Sequence, residues 1–247
     1  MITCCCPTHG RAHVIGEAVE SYLRQDPCGV ETELLILNDC PEQPLTCDAP
    51  GVRIENVPCI PNVNDKFDRC VELARGDWIA WWEDDDISLP HRLARSVMMS
   101  GMRTPYKQRN AWFWHDRLHD VGENLFYGAS FFPRELYQAA GGAQGKGYPD
   151  QNAHMNMLAE IHRRGAWYEM ETATPAHVYF VYRWGGPVTH DSGFGAQHAD
   201  PAARFALFRE RTLAHPAFRP GTQRIEPAWH VDYTQAVKEA LCRSPQS

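Results

Sequence analysis

Residues 79–90 read IAWWEDDDISLP, and the rest of the chain is organised around them. Residues 79–82 are apolar and predict a buried strand, which stops abruptly at four consecutive acids, Glu83–Asp86. Four adjacent carboxylates repel one another, and a divalent cation with oxygen ligands would remove that cost. Open α/β sheets also bind their ligands at the carboxyl ends of strands. The stretch therefore predicts a cation site, with a solvated acidic turn as the alternative.

Composition sets the outer limits. The chain has 247 residues, 43% of them hydrophobic, enough for one large α/β domain or two small ones. Its net charge of −7 argues against broad electrostatic binding to nucleic acid. We expect no membrane span and no signal peptide, because neither hydrophobic pattern is present. The nine cysteines form no CxxC pair, and Cys4–Cys6 are interpreted as small buried residues, which favours a cytoplasmic protein.

The first hundred residues alternate between strand and helix patterns. Four short apolar runs predict strands, at residues 2–6, 34–37, 52–57 and 78–82. Phe67, Cys70, Val71 and Ala74 recur at helical spacing between the last two runs. Such alternation predicts a parallel, doubly wound sheet.

The pattern changes after about residue 100. Residues 111–114 and 125–127 flank Asp120–Glu123, which predicts an antiparallel hairpin with its turn at 120–123. The glycine-rich residues 141–147 predict a mobile loop. Residues 106–112 mix basic and aromatic side chains, as single-strand binders do. The remaining predicted elements are a strand at 178–182 and helices near 134–140, after Asp150, after Pro201 and around Tyr233.

Three motifs together resemble the family 2 glycosyltransferases of the GT-A fold. Residues 3–11 resemble that family's first strand and its Pro-Thr-x-x-Arg turn, which cradles the nucleotide. Asn38-Asp39 ends the second strand where the family places the acid that reads the base. Glu83–Asp86 with Pro90 resembles the family's DxD region. The resemblance implies a GT-A, Rossmann-like, doubly wound and mostly parallel sheet with a smaller antiparallel acceptor-side portion.

The resemblance also assigns donor-binding residues. They are Pro7, Thr8, Arg11, Asp39, Lys66, Glu83 and Asp84. Asp39 would accept a hydrogen bond from a base N–H, and Arg11 or Lys66 would pair with the diphosphate. The alternative role for Asp39 is a turn residue at the end of a strand. For Arg11 and Lys66 the alternative is a solvated charge on the surface. Phe67 and Asp68 replace the Arg and Asn that usually follow the lysine.

The metal site implied by the resemblance centres on Asp85, with Mn²⁺ or Mg²⁺ as the ion. Asp85 lies five residues before Pro90, where the family has its metal-binding acid, and Glu83 replaces the usual first aspartate of the motif. His190 resembles the late histidine that closes the metal site in some members, and His177 is the competing candidate. A loop histidine with no metal is the alternative for His190.

Asp150 matches the aspartate that serves as catalytic base in the family. It follows the glycine-rich residues, and Pro149 replaces the glutamate that usually precedes the base. A helix N-cap is the alternative role for this residue. The resemblance is good over residues 1–97, patchy to about 195 and absent beyond. We expect one GT-A-like domain, 1–247, with a nucleotide-sugar-binding half (1–100), an acceptor and catalytic half (101–195) and C-terminal helices (196–247).

The predicted function is a metal-dependent, inverting glycosyltransferase that moves a sugar from a nucleotide sugar, with UDP favoured, to an acceptor hydroxyl. Nucleotidyltransferases and metal phosphohydrolases also use clustered aspartates and form one alternative class. The departures at Glu83, Phe67 and Pro149 keep open an inactive sugar-nucleotide or glycan-binding module. The acceptor could be a glycan, a protein, a small molecule or, less favoured because of the net charge, a modified nucleic acid.

Overall fold

The computed structural model of the protein describes residues 1–123, 127–144, 156–161, 163–164, 169–183 and 201–243. Strands and helices alternate through the first hundred residues. In chain order they are β1 (Ile2–Thr8), α1 (Ile15–Leu23), β2 (Thr32–Asn38), β3 (Leu45–Thr46), β4 (Val52–Asn56), α2 (Val63–Leu73), β5 (Trp78–Trp81), β6 (Ile87–Ser88) and α3 (Arg92–Ser100).

Strands dominate the next part of the chain, and helices return near its end. These elements are β7 (Tyr106–Gln108), β8 (Asn110–His115), β9 (Arg117–Glu123), a 3₁₀ turn (Tyr127–Ala129), β10 (Phe131–Pro133), α4 (Arg134–Ala139), α5 (described over 156–161), β11 (Glu169–Glu171), a 3₁₀ turn (Pro175–His177), β12 (Phe180–Arg183), α6 (Pro201–Leu213), β13 (Gln223–Arg224) and α7 (Tyr233–Arg243). Among the described helices, none combines the length and the apolar character that crossing a bilayer requires.

The central sheet has the strand order β11-β7-β10-β5-β1-β2-β4. β1, β2, β4 and β5 run parallel, whereas β10 pairs antiparallel with β5. This arrangement confirms the predicted α/β class with a mainly parallel sheet. Because β1 lies between β2 and β5, the residues that follow these three strands meet at one edge of the sheet.

A second sheet, β6-β12-β8-β9, packs beside the acidic stretch. β12 pairs antiparallel with β6 and parallel with β8. Val181 lies opposite Ile87, directly after the acids, so this sheet fixes the chain where it leaves the acidic turn. The predicted strand at 178–182 is thus present, shifted to Phe180–Arg183.

The predicted hairpin is present, but its turn does not lie at the predicted residues 120–123. His115 pairs with Arg117, so the turn is at Asp116, whose φ of 61° lies in the left-handed region. Aspartate tolerates this conformation better than most residues do. Residues 120–123 belong to β9 instead. Gly122 allows close packing, because a Cβ there would lie 2.8 Å from the Phe113 ring.

Burial decides two further predictions, one about the basic and aromatic residues 106–112 and one about the cysteines Cys4–Cys6. Lys107 and Gln108 of β7 are buried, and burial lowers the pKa of Lys107 to about 8. Residues 106–108 therefore lie inside the fold and do not present a surface for a nucleic acid strand. Cys4–Cys6 are fully buried free thiols, as interpreted, and burial raises the pKa of Cys4 to about 12.

Candidate active site

The four acids follow β5 at the edge of the sheet where β1 and β2 also end. Asp84, Asp85 and Asp86 are buried, with 3–4% of each residue exposed, and only Glu83 is partly exposed. A solvated acidic turn is therefore wrong for three of the four. Carboxylates that are buried together require compensating positive charge or hydrogen-bond donors.

Arg11 provides that charge for the first two aspartates. Its Nη1 atom lies 2.7 Å from Asp84 Oδ1 and 2.9 Å from Asp85 Oδ2. Thr8 donates a 2.6 Å hydrogen bond from Oγ1 to Asp84 Oδ2. Burial raises the pKa of Asp84, and the charge of Arg11 offsets only part of this effect. Burial also opposes the charge on Arg11, but Asp84 and Asp85 keep the pKa of its guanidinium above the ordinary value.

Asp86 is held from the second sheet. The backbone N–H of Arg183, the last residue of β12, donates to Asp86 Oδ1 over 2.8 Å. The Arg183 guanidinium binds the backbone carbonyl of Asp85 and the carboxylate of Glu17 on α1. Burial, followed by the charge of Asp85, raises the pKa of Asp86 well above its ordinary range. Arg183 therefore joins the acidic turn to α1.

Arg92 supports the turn from the other side. This residue is 1% exposed, and it donates to the carbonyls of Trp81 and Gly128 and, over 2.7 Å, to Ser88 Oγ. Its guanidinium carbon lies 4.6 Å from the centroid of the Trp82 ring. Neither Arg92 nor Arg183 is predicted from the sequence, because an arginine in the first turn of a helix or at a strand end carries no local signal of burial.

Asp39 forms a second cluster next to the first. Its Oδ1 lies 2.9 Å from His9 Nδ1 and 2.7 Å from Lys66 Nζ, and its Oδ2 accepts a 2.9 Å bond from the backbone N–H of Ile60. Burial would raise the pKa of Asp39, but the hydrogen bond from His9 and the charge of Lys66 lower it overall. Asp39 is thus a buried carboxylate whose two oxygens both have protein partners.

Three side chains in this second cluster also satisfy the geometry of a metal centre. Ligand atoms of His9, Asp39 and Cys59 lie within 4.8 Å of one another. The Lys66 ammonium nevertheless contacts Asp39 directly and would repel a cation there. Burial also raises the pKa of Cys59, which disfavours the thiolate that binds metals. These contacts favour a hydrogen-bonded ion pair over a metal centre.

Asp84 and Asp85 fit a divalent cation better. Asp84 Oδ1 and Asp85 Oδ2 lie near each other, because a single nitrogen of Arg11 binds both. Hard cations such as Mg²⁺ and Mn²⁺ prefer carboxylate oxygens. The described contact of the His177 ring is to Thr174 Oγ1, over 3.0 Å, and not to these acids. His190 and Asp150 lie outside the described residues.

Helix α6, which precedes the last helix α7, covers both the acid cluster and the Asp39 cluster. The Phe205 ring centroid lies 5.3 Å from that of His9 and 5.7 Å from Lys66 Nζ. The Phe208 ring centroid lies 5.2 Å from the guanidinium carbon of Arg11. The sequence predicts a helix here but not this position.

Gly10 allows this close approach. Its φ of 66° lies in the left-handed region, and a Cβ there would come within 2.7 Å of the Thr212 methyl group. Any larger residue at position 10 would therefore push α6 away from the loop that follows β1.

Asp68, which replaces the asparagine of the family pattern, anchors the glycine-rich segment. It accepts hydrogen bonds from Tyr137 Oη over 2.6 Å and from the backbone N–H of Ala143 over 2.8 Å. A Cβ on Gly142 would lie 2.4 Å from its carboxylate. Residues 141–144 form the first part of the predicted loop and are tied to α2 by these contacts, whereas 145–147 lie outside the described residues. The mobility of the loop stays a prediction.

Solved structures of glycosyltransferases share this fold. No protein-family model and no curated protein sequence matches the chain. Among solved structures, S. aureus TarS residues 1–349 with UDP-GlcNAc aligns over 87% of this chain and 67% of its own, at 10% identity and a TM-score of 0.61. The structure of the same TarS residues with UDP aligns over 87% of this chain and 72% of its own, at 11% identity and a TM-score of 0.54.

The second protein among these structures is a mannosyltransferase. PcManGT from Pyrobaculum calidifontis, in complex with GDP-Man and Mn²⁺, aligns over 73% of this chain and 56% of its own, at 16% identity and a TM-score of 0.52. At identities this low, the likeness of all three structures establishes the fold alone. It confirms the predicted fold class independently of any sequence match.

Proposed function

We propose that the protein is a glycosyltransferase that uses a nucleotide sugar as donor. The observation that carries this proposal is the meeting of Thr8, Arg11, Asp84 and Asp85 at the carboxyl edge of the sheet. Buried acids suit a divalent cation, and adjacent cations suit a diphosphate. Structures of the same fold hold UDP-GlcNAc and GDP-Man, which supports a donor of this class.

The proposed cofactor is Mn²⁺ or Mg²⁺, held by Asp85 together with Asp84. When bound, such an ion would stabilise the negative charge that builds up on the departing diphosphate. Support comes from the two converging carboxylates and from the Mn²⁺ in the PcManGT complex. His190 is proposed to complete the metal site, on the basis of its resemblance to the late histidine of the family.

The roles on the acceptor side rest on the same resemblance. Asp150 is proposed to remove the proton from the acceptor hydroxyl as that oxygen attacks the anomeric carbon, with inversion. On the donor side, Asp39 is proposed to set the base preference, for uridine, and Arg11 or Lys66 to pair with the diphosphate. Both Asp39 oxygens already bind protein groups, so a base N–H must share an oxygen with one of them or replace it. The acceptor is proposed to be a glycan, a protein, a small molecule or, least favoured, a modified nucleic acid.

Product analysis tests the proposal. The protein is incubated with UDP- and GDP-sugars and Mn²⁺, and nucleotide products are separated by ion-exchange chromatography. We expect slow release of nucleoside diphosphate that stops in EDTA and in Asp85→Asn. The control Asp232→Asn, at the exposed residue just before α7, should keep full release. Release of monophosphate or pyrophosphate would favour a phosphohydrolase or nucleotidyltransferase, and binding without turnover would favour a binding module.

A further inference from the structure

Arg11 occupies an unusual position for a donor-binding residue. Its Nη1 lies between Asp84 and Asp85, at 2.7 and 2.9 Å from their oxygens, so its charge is directed at the acids. A divalent cation held by those same two oxygens would need the place that Arg11 Nη1 occupies. A guanidinium nitrogen and a metal ion cannot occupy the same point.

The surroundings make this contact strong. Arg11 is 9% exposed, the two aspartates 3% and 4%, and the Phe208 ring covers the guanidinium. With so little water nearby, charges interact far more strongly than they do at a surface. Two buried carboxylates without a cation would repel each other and lose hydration. Arg11 therefore balances one of the two negative charges of the acid pair within the protein.

We propose that Arg11 acts as a built-in substitute for the metal ion, and that it exchanges the acids for the donor diphosphate when the ion binds. The inference rests on the proposed function, because it assumes that Asp84 and Asp85 receive a divalent cation. The ion and Arg11 compete for the same oxygens and repel each other as like charges. Once released, Arg11 is adjacent to the ion and presents a planar fork of donors suited to phosphate oxygens.

This role gives Arg11 two opposite effects, which a purely structural residue would not have. It should weaken the binding of the metal alone and strengthen the binding of a nucleoside diphosphate when metal is saturating. A charged hydrogen bond in a buried site corresponds to roughly a tenfold change in an equilibrium constant. We therefore expect Arg11→Gln to bind Mn²⁺ roughly tenfold more tightly than wild type and UDP roughly tenfold more weakly.

The experiment measures Mn²⁺ binding by electron paramagnetic resonance without nucleotide, and then UDP binding by calorimetry in saturating Mn²⁺. Wild type, Arg11→Gln, Arg11→Lys and the exposed control Arg69→Gln on α2 are compared. Arg69→Gln should match wild type in both assays. Arg11→Lys, which keeps the charge but loses the planar fork, should fall between wild type and Arg11→Gln for Mn²⁺.

Thermal unfolding keeps the test decisive if Arg11→Gln is unstable without metal. Mn²⁺ should then raise the melting temperature of Arg11→Gln by more than that of wild type, and an equal or smaller rise would overturn the proposal. Unchanged or weaker Mn²⁺ affinity in folded Arg11→Gln would also overturn it, as would no Mn²⁺ binding by any form. If Arg11→Gln binds Mn²⁺ more tightly but wild type transfers no sugar, the exchange stands and the proposed function fails.

Discussion

Asp39 and Asp84 are both buried aspartates at the edge of the sheet, yet their surroundings shift their pKa values in opposite directions. Asp39 has His9, Lys66 and a backbone N–H to itself, and together these outweigh the cost of burial. Asp84 shares one arginine with Asp85, so burial dominates. The surroundings of Asp39 therefore favour its charged form. The pair Asp84 and Asp85 would be stabilised by a further cation.

The lowered pKa of Asp39 predicts a specific dependence of stability on pH. A carboxylate with a lowered folded pKa contributes stability above its ordinary value of 3.8, and this contribution is lost as pH falls through the folded pKa. Asp39→Asn leaves a buried lysine without its carboxylate, so the free energy of unfolding should fall by about 3 kcal/mol at neutral pH. Urea unfolding at a series of pH values measures the gap between wild type and Asp39→Asn.

The difference in the free energy of unfolding between wild type and Asp39→Asn should narrow as the pH falls below 3.8. A gap that stays constant with pH would show that the charge of Asp39 is not what stabilises the fold. Asp116→Asn, on the exposed hairpin turn, is the control and should match wild type throughout.

Asp150 can be tested as a base without a description of its surroundings. Asparagine caps a helix about as well as aspartate does, so Asp150→Asn keeps a cap while removing basicity. If Asp150 is the base, donor affinity and melting temperature should stay near wild type, and turnover should fall on the order of a hundredfold or more. Retained turnover would remove Asp150 from the mechanism and direct attention to Asp116 and Asp120.

At the scale of elements, α6 covers two cations of the candidate site, Arg11 and Lys66. Phe205, Phe208 and Thr212 are spaced so that one face of the helix meets His9, Arg11 and Gly10. The opposite face, with Ala206 and Glu210, is exposed. A donor diphosphate that reaches Lys66 must therefore take space that the Phe205 ring now fills.

Removing that ring should make donor binding easier. A ring over an ammonium group is worth about 0.5–2 kcal/mol, so Phe205→Ala should raise UDP affinity in Mn²⁺ by roughly twofold to thirtyfold. Stopped-flow fluorescence and calorimetry measure the rate and the affinity of binding. Glu210→Ala, on the exposed face of α6, should change neither quantity. Weaker UDP binding in Phe205→Ala would mean that the ring contacts the nucleotide instead of blocking it.

At the scale of the whole molecule, the sequence predicts features that depend on neighbouring residues, such as strand positions. It does not predict contacts between residues that are far apart in the chain. Apolar runs placed β1, β2, β4 and β5 within two residues of their observed ends. The sequence also pointed to Arg11, Lys66 and the acids as one region. It did not reveal that Arg11 binds the acids and Lys66 binds Asp39, because these pairs depend on how β1, β2 and β5 lie side by side.

The strands β7, β10 and β11 were not predicted for a related reason. Each has only three residues, too few for a periodic pattern, and each is stabilised by its neighbours in the sheet. The position of α6 over the site was also unpredictable, since helical spacing shows which face is apolar but not what that face meets.

Glu17 and Arg183 connect four parts of the fold: α1, the acidic turn, β12 and α7. Glu17 binds the Arg183 guanidinium and accepts a 3.1 Å hydrogen bond from Tyr233 Oη on α7. Arg183 in turn holds Asp85 and Asp86. Among the described residues, the contacts of Glu17 include neither Asp84 nor Asp85, so we expect its effect on the acidic turn to pass through Arg183.

Glu17→Gln leaves the buried Arg183 charge without its carboxylate. We expect the free energy of unfolding in urea to fall by about 3 kcal/mol, since breaking a buried ion pair costs far more than breaking a surface pair. The matched control is Glu20→Gln on the same helix, whose partner Arg24 is largely exposed, and it should cost less than about 1 kcal/mol. Mn²⁺ affinity, measured under conditions where Glu17→Gln is folded, should also fall, because Arg183 no longer fixes the backbone of Asp85. Unchanged Mn²⁺ affinity despite the lost stability would show that the acidic turn keeps its shape without this connection, and that Arg92 alone is enough to hold it.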